Sequence, residues 1–528
     1  MPSGTPSVQD TLARICDRGD PGLLVSGLFG LEKESLRVAD SGGIAFTPHP
    51  RSLGSALTHP NITTDYSEAL LEFVTPPFKE FSEALDCLQS LHLYVQEHLQ
   101  DELLWATSMP CVLAGEDNIP VGRYGSSNHG LMKYIYRLGL GYRYGRVMQV
   151  IAGVHFNYSI ADDFWPMCQA VQGDKGSLRD FRDSRYMGMV RNLQRYGWII
   201  PYLFGASPAV CRSFFTGKEP DLLVFDDTTY YEPYATSLRM GDIGYQNRKE
   251  EGMGVKACYD SLTDYVESLA CATKTPCPVW EEIGVKVDGE YRQLNANRLQ
   301  IENEYYSSIR PKQPPVDMET PSRALMEKGI QYVELRSLDV NAYHPLGVDD
   351  HQLRFLHLFM LYCLLAASPE ISGTERREID RNLIWVAQQG RDPLLKLQRD
   401  GKAVLFREWA TELLDAMQPL ADVLAREKKD THYRDTLVIQ QKKLLDADFT
   451  PSGRMLLEMR ENGEGFYQFA QRLSLEQWRY FSSRELDGGF RDHMNEVGAL
   501  SLKQQEALEV DQSESFDTFL QRYFDGQI

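Results

Sequence analysis

Two glutamates stand two residues apart in the stretch LEKESLRV, residues 31–38. Side chains alternate between the two faces of a strand, so Glu32 and Glu34 would share one face. The apolar Leu36 and Val38 follow on the same face, which indicates that this face is buried. In a helix, positions two apart do not face each other, and the spacing would have no purpose. We therefore predict a strand with two inward carboxylates, which must be paired or bound to a metal.

A second acidic stretch, ITTDYSEALLEFVTPP at residues 62–77, has a similar pattern. Its acids are Asp65, Glu68 and Glu72. Immediately before the Pro-Pro pair, a strand would put Leu70, Glu72 and Val74 on one face. An amphipathic helix with Glu68 and Glu72 on its exposed side is an equally good interpretation of this stretch alone.

Two further stretches add a histidine and an acid–arginine pair. GVHFNYSI, residues 153–160, alternates as a strand does and puts His155 on the polar face. A single histidine in a strand is more often structural than a metal ligand. GIQYVELRSLDV, residues 329–340, puts Glu334 and Arg336 on one mainly apolar face. This pair is either a buried ion pair or a metal ligand beside a guanidinium that binds phosphate.

Two more stretches carry weaker signals. As a strand, NRLQIENEYYSSIRPK at residues 297–312 would have one face made by Gln300, Glu302, Glu304 and Tyr306. We interpret Glu302 and Glu304 as half-exposed positions of an antiparallel strand. The loop YATSLRMGDIGY, residues 234–245, offers two polar candidates, Arg239 and Tyr245. By themselves these two residues indicate no particular chemistry.

The combination of these stretches is more informative than any one of them. Several strands each place one or two acids, with one histidine, on a face that should be buried. Oxygen ligands with a single imidazole suit Mg²⁺ or Mn²⁺ and do not suit structural zinc. The chain contains no GxxxxGK[ST] phosphate loop, no dinucleotide fingerprint, no HExxH and no GxSxG. The sequence therefore predicts hard cations on a sheet face, where they would bind nucleotide phosphates together with nearby arginines.

The overall composition limits the partners of the chain. It has 528 residues, with 55 Lys and Arg against 75 Asp and Glu, so its net charge is −20. Nucleic acids and anionic membranes attract basic surfaces, so this balance argues against both. The longest apolar run, residues 355–367, contains His357 and is too short to span a bilayer, so we predict a buried helix. Nine scattered cysteines without CxxC spacing predict reduced thiols and a cytoplasmic location.

The elements that would position these residues predict a mixed α+β chain. In chain order we predict strands and turns within 24–78, a helix at 79–103, strands at 147–160, 281–303 and 329–340, and mainly helix from about residue 349, including 407–429. Residues 1–23 would form a leader, residues 24–370 a catalytic domain, and residues 371–528 a helical C-terminal part packed on the same domain.

Several longer stretches resemble one known family, the proteobacterial class of glutamate–cysteine ligase. The stretches that carry the resemblance are GLEKESLRV, GSALTHPNITTDYSEALLEFVTPP, GVHFNYS, RYGWIIPYLFGASPAVC, YATSLRMGDIGY, LQIENEYYSSIRPK and YVELRSLDVNAYHPLGVD. The resemblance runs from about residue 27 to residue 365, and the tail matches only in helical character and rough length. It implies a fold like that of glutamine synthetase. In that fold a curved antiparallel sheet, flanked by helices, forms a funnel with ATP and metals at one end.

The resemblance also implies roles for individual residues. Six match the family's metal ligands: Glu32, Glu34, Asp65, Glu72, His155 and Glu334. Arg336 matches a phosphate-facing arginine and is implied, with Arg239, to be catalytic. The pocket for the cysteine substrate would be lined by Tyr66, Tyr136, Leu140, Gln149, Tyr245 and Tyr306. Arg137 and Arg239 would meet substrate carboxylates, and Tyr66 departs from the phenylalanine expected in relatives.

The implied reaction converts ATP, L-glutamate and L-cysteine into γ-glutamylcysteine, ADP and phosphate through γ-glutamyl phosphate. Mg²⁺, or Mn²⁺ in its place, would be the cofactor, and the family expectation is a monomer with feedback binding of glutathione. Three alternative functions compete with this reaction. They are a two-metal phosphohydrolase that activates water, a non-catalytic regulator that binds nucleotide or glutathione, and a ligase with a different amine acceptor. Tyr66 keeps the last of these open.

Overall fold

The structure is a computed structural model that describes residues 7–217, 219–244, 256–316, 318–510 and 513–528. Within these residues the strands are β1 (Gly27–Ala39), β2 (Ile62–Thr64), β3 (Leu70–Val74), β4 (Glu102–Leu104), β5 (Gly153–Ile160), β6 (Ala209–Cys211), β7 (Leu223–Val224), β8 (Thr229–Tyr231), β9 (Lys286–Val287), β10 (Glu290–Tyr291), β11 (Ile309–Lys312), β12 (Tyr332–Asp339), β13 (Lys396–Arg399) and β14 (Lys402–Leu405).

The helices of the same described residues are mostly two to six turns long. They are α1 (Val8–Arg18), α2 (Phe81–His98), α3 (Asn128–Tyr144), α4 (Phe164–Gln172), α5 (Leu178–Tyr196), α6 (Ile199–Phe204), α7 (Leu262–Lys274), α8 (Pro278–Glu281), α9 (Pro321–Lys328), α10 (Asp350–Leu365), α11 (Gly373–Gln389), α12 (Phe406–Lys428), α13 (His432–Leu445), α14 (Pro451–Asn462), α15 (Phe466–Ser482), α16 (Gly488–Val510) and α17 (Phe516–Phe524).

One antiparallel sheet organises the described part of the chain. Its seven strands follow the order β11-β12-β5-β1-β3-β2, and β4 pairs with the end of β1. Glu32 of β1 stands opposite His155 of β5, and Glu34 stands opposite Glu72 of β3. The α+β prediction, with an antiparallel sheet flanked by helices, is therefore confirmed. The strand predicted around Glu32 is confirmed as well.

The opposite face of this sheet packs against helices. On that face the ring of Phe29 lies 5.4 Å from the ring of Tyr158 and 5.0 Å from the ring of His357 on α10. The predicted buried helix of the apolar run is α10, whose side chains from Phe355 to Met360 are all buried. Among the described residues, none of the helices is both long and apolar enough to cross a membrane.

His357 makes the stability of this core dependent on pH. It is fully buried, and its two ring nitrogens lie 2.7 Å from the Tyr433 hydroxyl and 3.2 Å from the Tyr158 hydroxyl. Burial, aided by the positive charges of Lys428 and Arg354, lowers the pKa of His357 to about 3. The folded state therefore holds this histidine neutral at pH values where the unfolded chain protonates it.

We expect His357→Gln to flatten the acid side of the stability curve. The stabilising contribution of neutral His357 is complete above pH 6.5, the ordinary pKa, and is lost as the pH falls toward the folded pKa. Between pH 6.5 and the folded pKa the wild-type advantage over the variant should shrink by up to about 1.4 kcal/mol per pH unit as the pH falls. Urea denaturation between pH 7 and 5 measures it, with the exposed His493→Gln as control. Parallel curves for wild type and His357→Gln would contradict the assignment.

Helix α3 has well-formed ends that fix which of its residues lie in its middle. Ser127 caps its N-terminus by accepting a hydrogen bond from the N–H of Gly130 at 3.2 Å. Gly145 follows its C-terminus with a φ of 88°, a conformation that a side chain would disfavour. Between these two ends, the residues from Tyr136 to Leu140 lie in the middle of the helix, where residues three or four positions apart share one face.

The C-terminal part is mainly helical, as predicted, and contacts the earlier elements. Gln96 of α2 donates to the hydroxyl of Ser482 at 2.6 Å, and the Tyr94 hydroxyl donates to Asn495 at 3.0 Å. The ring of Phe519 on α17 lies 5.2 Å from the ring of His129 on α3. The hairpin of β13 and β14 is an exception that the helical pattern did not predict.

The strand predicted at 281–303 is wrong. Two-residue strands β9 and β10 occupy part of this range, and Glu302–Glu304 form a short 3-10 helix. Glu304 is also fully buried rather than half exposed, because Arg143 donates to its carboxylate at 2.7 Å and the Tyr144 hydroxyl donates at 2.9 Å. The alternation of polar and apolar residues in this stretch is typical of a strand, but the buried ion pair of Arg143 and Glu304 determines its conformation.

The prediction that all cysteines are reduced thiols is also corrected. Cys111 and Cys211 form a disulfide, with their Cα atoms 5.4 Å apart. They are separated by 100 residues, so only the fold brings them together. The seven other cysteines are free thiols.

Candidate active site

The polar face of the sheet collects side chains from adjacent strands. Glu32 and Glu34 come from β1, Glu72 from β3, His155 from β5, and Glu334 and Arg336 from β12. His155 lies at the centre. Its Nδ1 is 2.9 Å from Glu32 and 3.7 Å from Glu334, and its Nε2 is 3.6 Å from Glu34. Strand pairing thus brings together residues that are up to about 300 positions apart in the chain.

Three of these side chains are arranged as a metal site would require. Glu32, Glu72 and His155 can each offer one ligand atom, and these three atoms lie within 4.8 Å of one another. Two carboxylate oxygens and one imidazole nitrogen are donors that Mg²⁺ or Mn²⁺ accept in proteins. The geometry of the described residues therefore fits a hard divalent cation at this point.

The electrostatics of the cluster also favour a cation. Burial, followed by the negative charges of Glu32, Asp65 and Glu34, raises the pKa of Glu72 well above its ordinary range. Burial raises the pKa of Glu34 as well. For Glu32, burial acts in the same direction, but the hydrogen bond and charge of His155 outweigh it and lower the pKa. A bound cation would relieve the repulsion among these carboxylates.

Glu334 has a different electrostatic environment from the other acids. Burial would raise its pKa, but the positive charges of Lys312 and Arg336 outweigh burial and hold that pKa far below its ordinary range. Arg336 donates to Glu334 at 3.0 Å, and the Lys312 ammonium lies 3.7 Å from the other carboxylate oxygen. Arg336 keeps 25% of its side chain exposed, so its guanidinium can still meet a ligand.

Asp65 and Arg137 connect this face to helix α3. Asp65 lies in the turn between β2 and β3, and its carbonyl oxygen accepts a hydrogen bond from Arg137. The guanidinium of Arg137 also stacks 4.6 Å from the ring centroid of Tyr124. Burial is the main cause of the raised pKa of Glu72 and of Tyr306, and the negative charge of Asp65 adds to both shifts. Asp65 therefore lies between the acidic face and the aromatic side chains around Tyr306.

A group of aromatic and amide side chains lies where α3 meets the segments around residues 149 and 306. The Gln149 side chain is buried, and its amide lies 2.8 Å from the Tyr306 hydroxyl. Burial raises the pKa of Tyr136 and of Tyr306, so both hydroxyls stay protonated and can donate. Leu140 is buried beside them on α3. The arrangement places two tyrosine hydroxyls and an amide next to a buried leucine.

Tyr66 belongs to the wall of this region. Its side chain is 1% exposed, and within the described part of the structure its hydroxyl has no hydrogen-bond partner. A side-chain carbon at Gly141 of α3 would lie 2.5 Å from that hydroxyl, so the glycine is needed for the ring to fit. Tyr66 is therefore enclosed between its own turn and α3.

Arg239 also lies at the edge of the acidic face. It is 3% exposed, and it donates to the carbonyl oxygen of Arg336 at 3.0 Å. It is therefore not a solvated loop arginine, although the sequence alone left that open. Tyr245, predicted with it, lies outside the residues that the structure describes.

Three residues of the site were missed by the motif reasoning. Asn157 donates to Glu32 at 2.9 Å, Lys312 faces Glu334, and Asp339 contacts Arg239. Asn157 shares the strand face of His155, and Lys312 follows in the stretch LQIENEYYSSIRPK, so strand alternation could have identified both. The contact of Asp339 with Arg239 has no such signal, because it depends on a loop.

The fold and the site together indicate an enzyme in which one face of an antiparallel sheet holds an acidic cluster suited to a metal ion, with arginines beside it. The family model for glutamate-cysteine ligase matches residues 12–386. The chain belongs to the glutamate–cysteine ligase family, in its proteobacterial class, and it is a ligase.

Individual relatives agree with this assignment over nearly the whole chain. The glutamate–cysteine ligase of Alcanivorax borkumensis is 46% identical over 500 residues, which cover 94% of this chain and 95% of that protein. The enzyme of Pseudomonas aeruginosa is 46% identical over 501 residues, covering 95% and 94%. The crystal structure of the Francisella tularensis enzyme in complex with AMP superposes with a TM-score of 0.88, at 34% identity, covering 95% and 98%.

Proposed function

We propose that the chain joins the γ-carboxylate of L-glutamate to the amino group of L-cysteine at the expense of ATP, the first step of glutathione biosynthesis. The observation that carries the proposal is the convergence of Glu32, Glu72 and His155 next to the Glu334–Arg336 pair. The complex of the Francisella tularensis relative with AMP supports an adenine nucleotide as substrate.

The chemistry explains why one site needs both a metal-suited face and an amino-acid pocket. A free carboxylate is a poor acylating agent and must first gain a leaving group. The γ-carboxylate attacks the γ-phosphorus of ATP, the bond to the bridging oxygen breaks, and ADP leaves. The cysteine amine then attacks the acyl carbon of γ-glutamyl phosphate and loses a proton, and phosphate leaves. The products are γ-glutamylcysteine, ADP and phosphate.

The acidic face would hold the metal and meet the phosphates. In this proposal Mg²⁺, or Mn²⁺ in its place, is held by Glu32, Glu34, Asp65, Glu72, His155 and Glu334. When bound, the ions offset the negative charge of the phosphates. The exposed part of Arg336 would stabilise the charge on the transferring phosphoryl group. Asn157 and His155 keep Glu32 oriented toward the site.

The pocket would hold the amino-acid substrates. We assign it Tyr66, Tyr136, Arg137, Leu140, Gln149, Arg239, Tyr245 and Tyr306. Arg137 and Arg239 would pair with substrate carboxylates, for which the guanidinium fork is well suited. The buried walls would keep water away from the reactive acyl phosphate.

We further propose the setting in which the enzyme works. It would be a monomer that acts on free small molecules and binds glutathione as a feedback inhibitor, as the family resemblance implies, and its seven free thiols favour a cytoplasmic location. The net charge of −20 supports the absence of nucleic-acid and anionic-membrane partners. Residues 24–370 would be the catalytic domain, and residues 371–528 would pack on it.

The purified protein should release ADP from ATP only when glutamate and cysteine are both present with Mg²⁺. Mass spectrometry should identify the product as γ-glutamylcysteine. ADP release that requires a different amine would leave the proposed mechanism in place and change only the identity of the acceptor. We include this outcome because Tyr66 has a hydroxyl that the phenylalanine expected in relatives lacks. Phosphate release without glutamate or any amine would instead indicate a phosphohydrolase and would contradict the proposal.

A further inference from the structure

Asp339 is a buried carboxylate, 1% exposed, at the C-terminal end of β12. One of its oxygens accepts the N–H of Ala206 at 2.8 Å and the hydroxyl of Ser207 at 2.6 Å. Its other oxygen accepts the hydroxyl of Ser237 at 2.9 Å. The two loops that supply these donors are also joined directly, since the N–H of Leu238 donates to the Ser207 carbonyl at 2.7 Å. Asp339 therefore ties two separate loops to the central sheet.

One of these loops carries Arg239, whose guanidinium lies over the backbone of two sheet strands. Its Nη1 is 3.9 Å from the Asp339 carboxylate, and its Nη2 donates to the carbonyl of Arg336 at 3.0 Å. A side-chain carbon at Gly153 would lie 2.1 Å from Nη2, so the guanidinium occupies space that only glycine leaves free. The N–H of Gly153 donates in turn to Glu34 at 2.6 Å. The guanidinium thus lies against the same backbone that orients an acid of the site.

We propose that Asp339 is a positioning residue that holds Arg239 where the carboxylate of an amino-acid substrate binds. The inference rests on the proposed function and extends it, because Asp339 itself touches no reacting atom. The Asp339 carboxylate accepts three hydrogen bonds from neutral donors in addition to facing the charge of Arg239. These hydrogen bonds fix the positions of the two loops, and the carboxylate also balances the charge of the guanidinium. The carboxylate therefore determines both where the loop lies and where the guanidinium points.

The test is Asp339→Asn, which keeps the shape and one oxygen acceptor but removes the negative charge beside Arg239. We expect the KM for at least one amino-acid substrate to rise about tenfold or more, because a misplacement of about 1 Å can cost about a hundredfold. The KM for ATP should change by less than about twofold, since the phosphates would meet Arg336 and the acidic face. Gly153→Ala should also raise that amino-acid KM, because the added carbon would lie 2.1 Å from Nη2 of Arg239 and displace the guanidinium.

A matched control separates positioning from simple stabilisation. Asp183 is another mostly buried carboxylate, which accepts the N–H of Ile330 at 2.8 Å and lies 3.6 Å from Arg179. Asp183→Asn should lower Tm by an amount comparable to Asp339→Asn while leaving every KM unchanged. If both variants lose stability and neither changes a KM, Asp339 is only structural and the inference is wrong.

A failure of the proposed function would give a different result. In that case the wild-type protein would not form γ-glutamylcysteine, and kinetics could not decide about Asp339. Crystal structures of wild type and Asp339→Asn then decide it. A guanidinium of Arg239 that leaves the backbone of Gly153 in the variant supports the positioning role, and one that stays in place overturns it.

Discussion

Replacing Glu32 by glutamine should lower kcat for γ-glutamylcysteine formation by more than about a hundredfold, since residues that only orient metal ligands already cost about ten- to a hundredfold. Glutamine has the shape of glutamate but lacks the charge that would hold a divalent cation with Glu72 and His155. Asn157 and His155 both contact the Glu32 carboxylate, so the strand register should survive the change. Initial rates with saturating ATP, glutamate and cysteine measure the effect.

Two further measurements make this prediction specific to the metal site. Electron paramagnetic resonance should show weaker Mn²⁺ binding by Glu32→Gln in the absence of any substrate. Glu302→Gln is the matched control, because Glu302 is also a half-buried glutamate, and burial raises its pKa, but it accepts the N–H of Ser322 away from the acidic face. The control should retain turnover within about threefold. Near-normal turnover of Glu32→Gln would contradict the assignment of the cluster as a metal site.

The strand faces of the site could be predicted from the sequence because alternation is a local property. Glu32 and Glu34 share their face in β1, and His155 shares its face with Asn157 in β5, as the period of two requires. The Glu72 stretch, which also suited a helix, is the strand β3. A charge on an apolar face was informative because burial makes unpaired charges costly.

Other parts of the site could not be predicted because they depend on pairs that are distant in sequence. The strand alternation around Glu304 was misleading, since Arg143 draws Glu304 into a buried ion pair and a short 3-10 helix takes the place of a strand there, whereas the end of the same stretch does form β11. Asp339 and Arg239 are likewise brought together only by loop packing. In each case the partner that decides the local conformation lies about 100 or more residues away, beyond the reach of periodicity.

Replacing Arg336 should produce the second large loss. Arg336→Gln is expected to lower kcat by about a hundredfold to a thousandfold, which is the usual cost of removing a donor to a developing negative charge. Arg336→Lys should recover only part of this loss, because an ammonium has a charge but no planar fork. The KM for ATP should change much less than kcat, since the missing interaction would form mainly in the transition state. Steady-state kinetics with varied ATP measure both values.

A competing explanation is that Arg336 only stabilises the sheet through its contact with Glu334, and this explanation can be tested. Glu334 would lose its donor at 3.0 Å in Arg336→Gln, but Lys312 remains 3.7 Å away as a second cation. The acid therefore stays paired, and we expect Tm to change little. Arg376→Lys is the control for the loss of a guanidinium elsewhere in the molecule. Arg376 is half-buried and donates to Gln194 at 2.6 Å on the helical side of the molecule. If Arg336→Gln lowers Tm and kcat in parallel while Arg336→Lys restores both fully, the arginine only stabilises the sheet and does not act on the phosphoryl group.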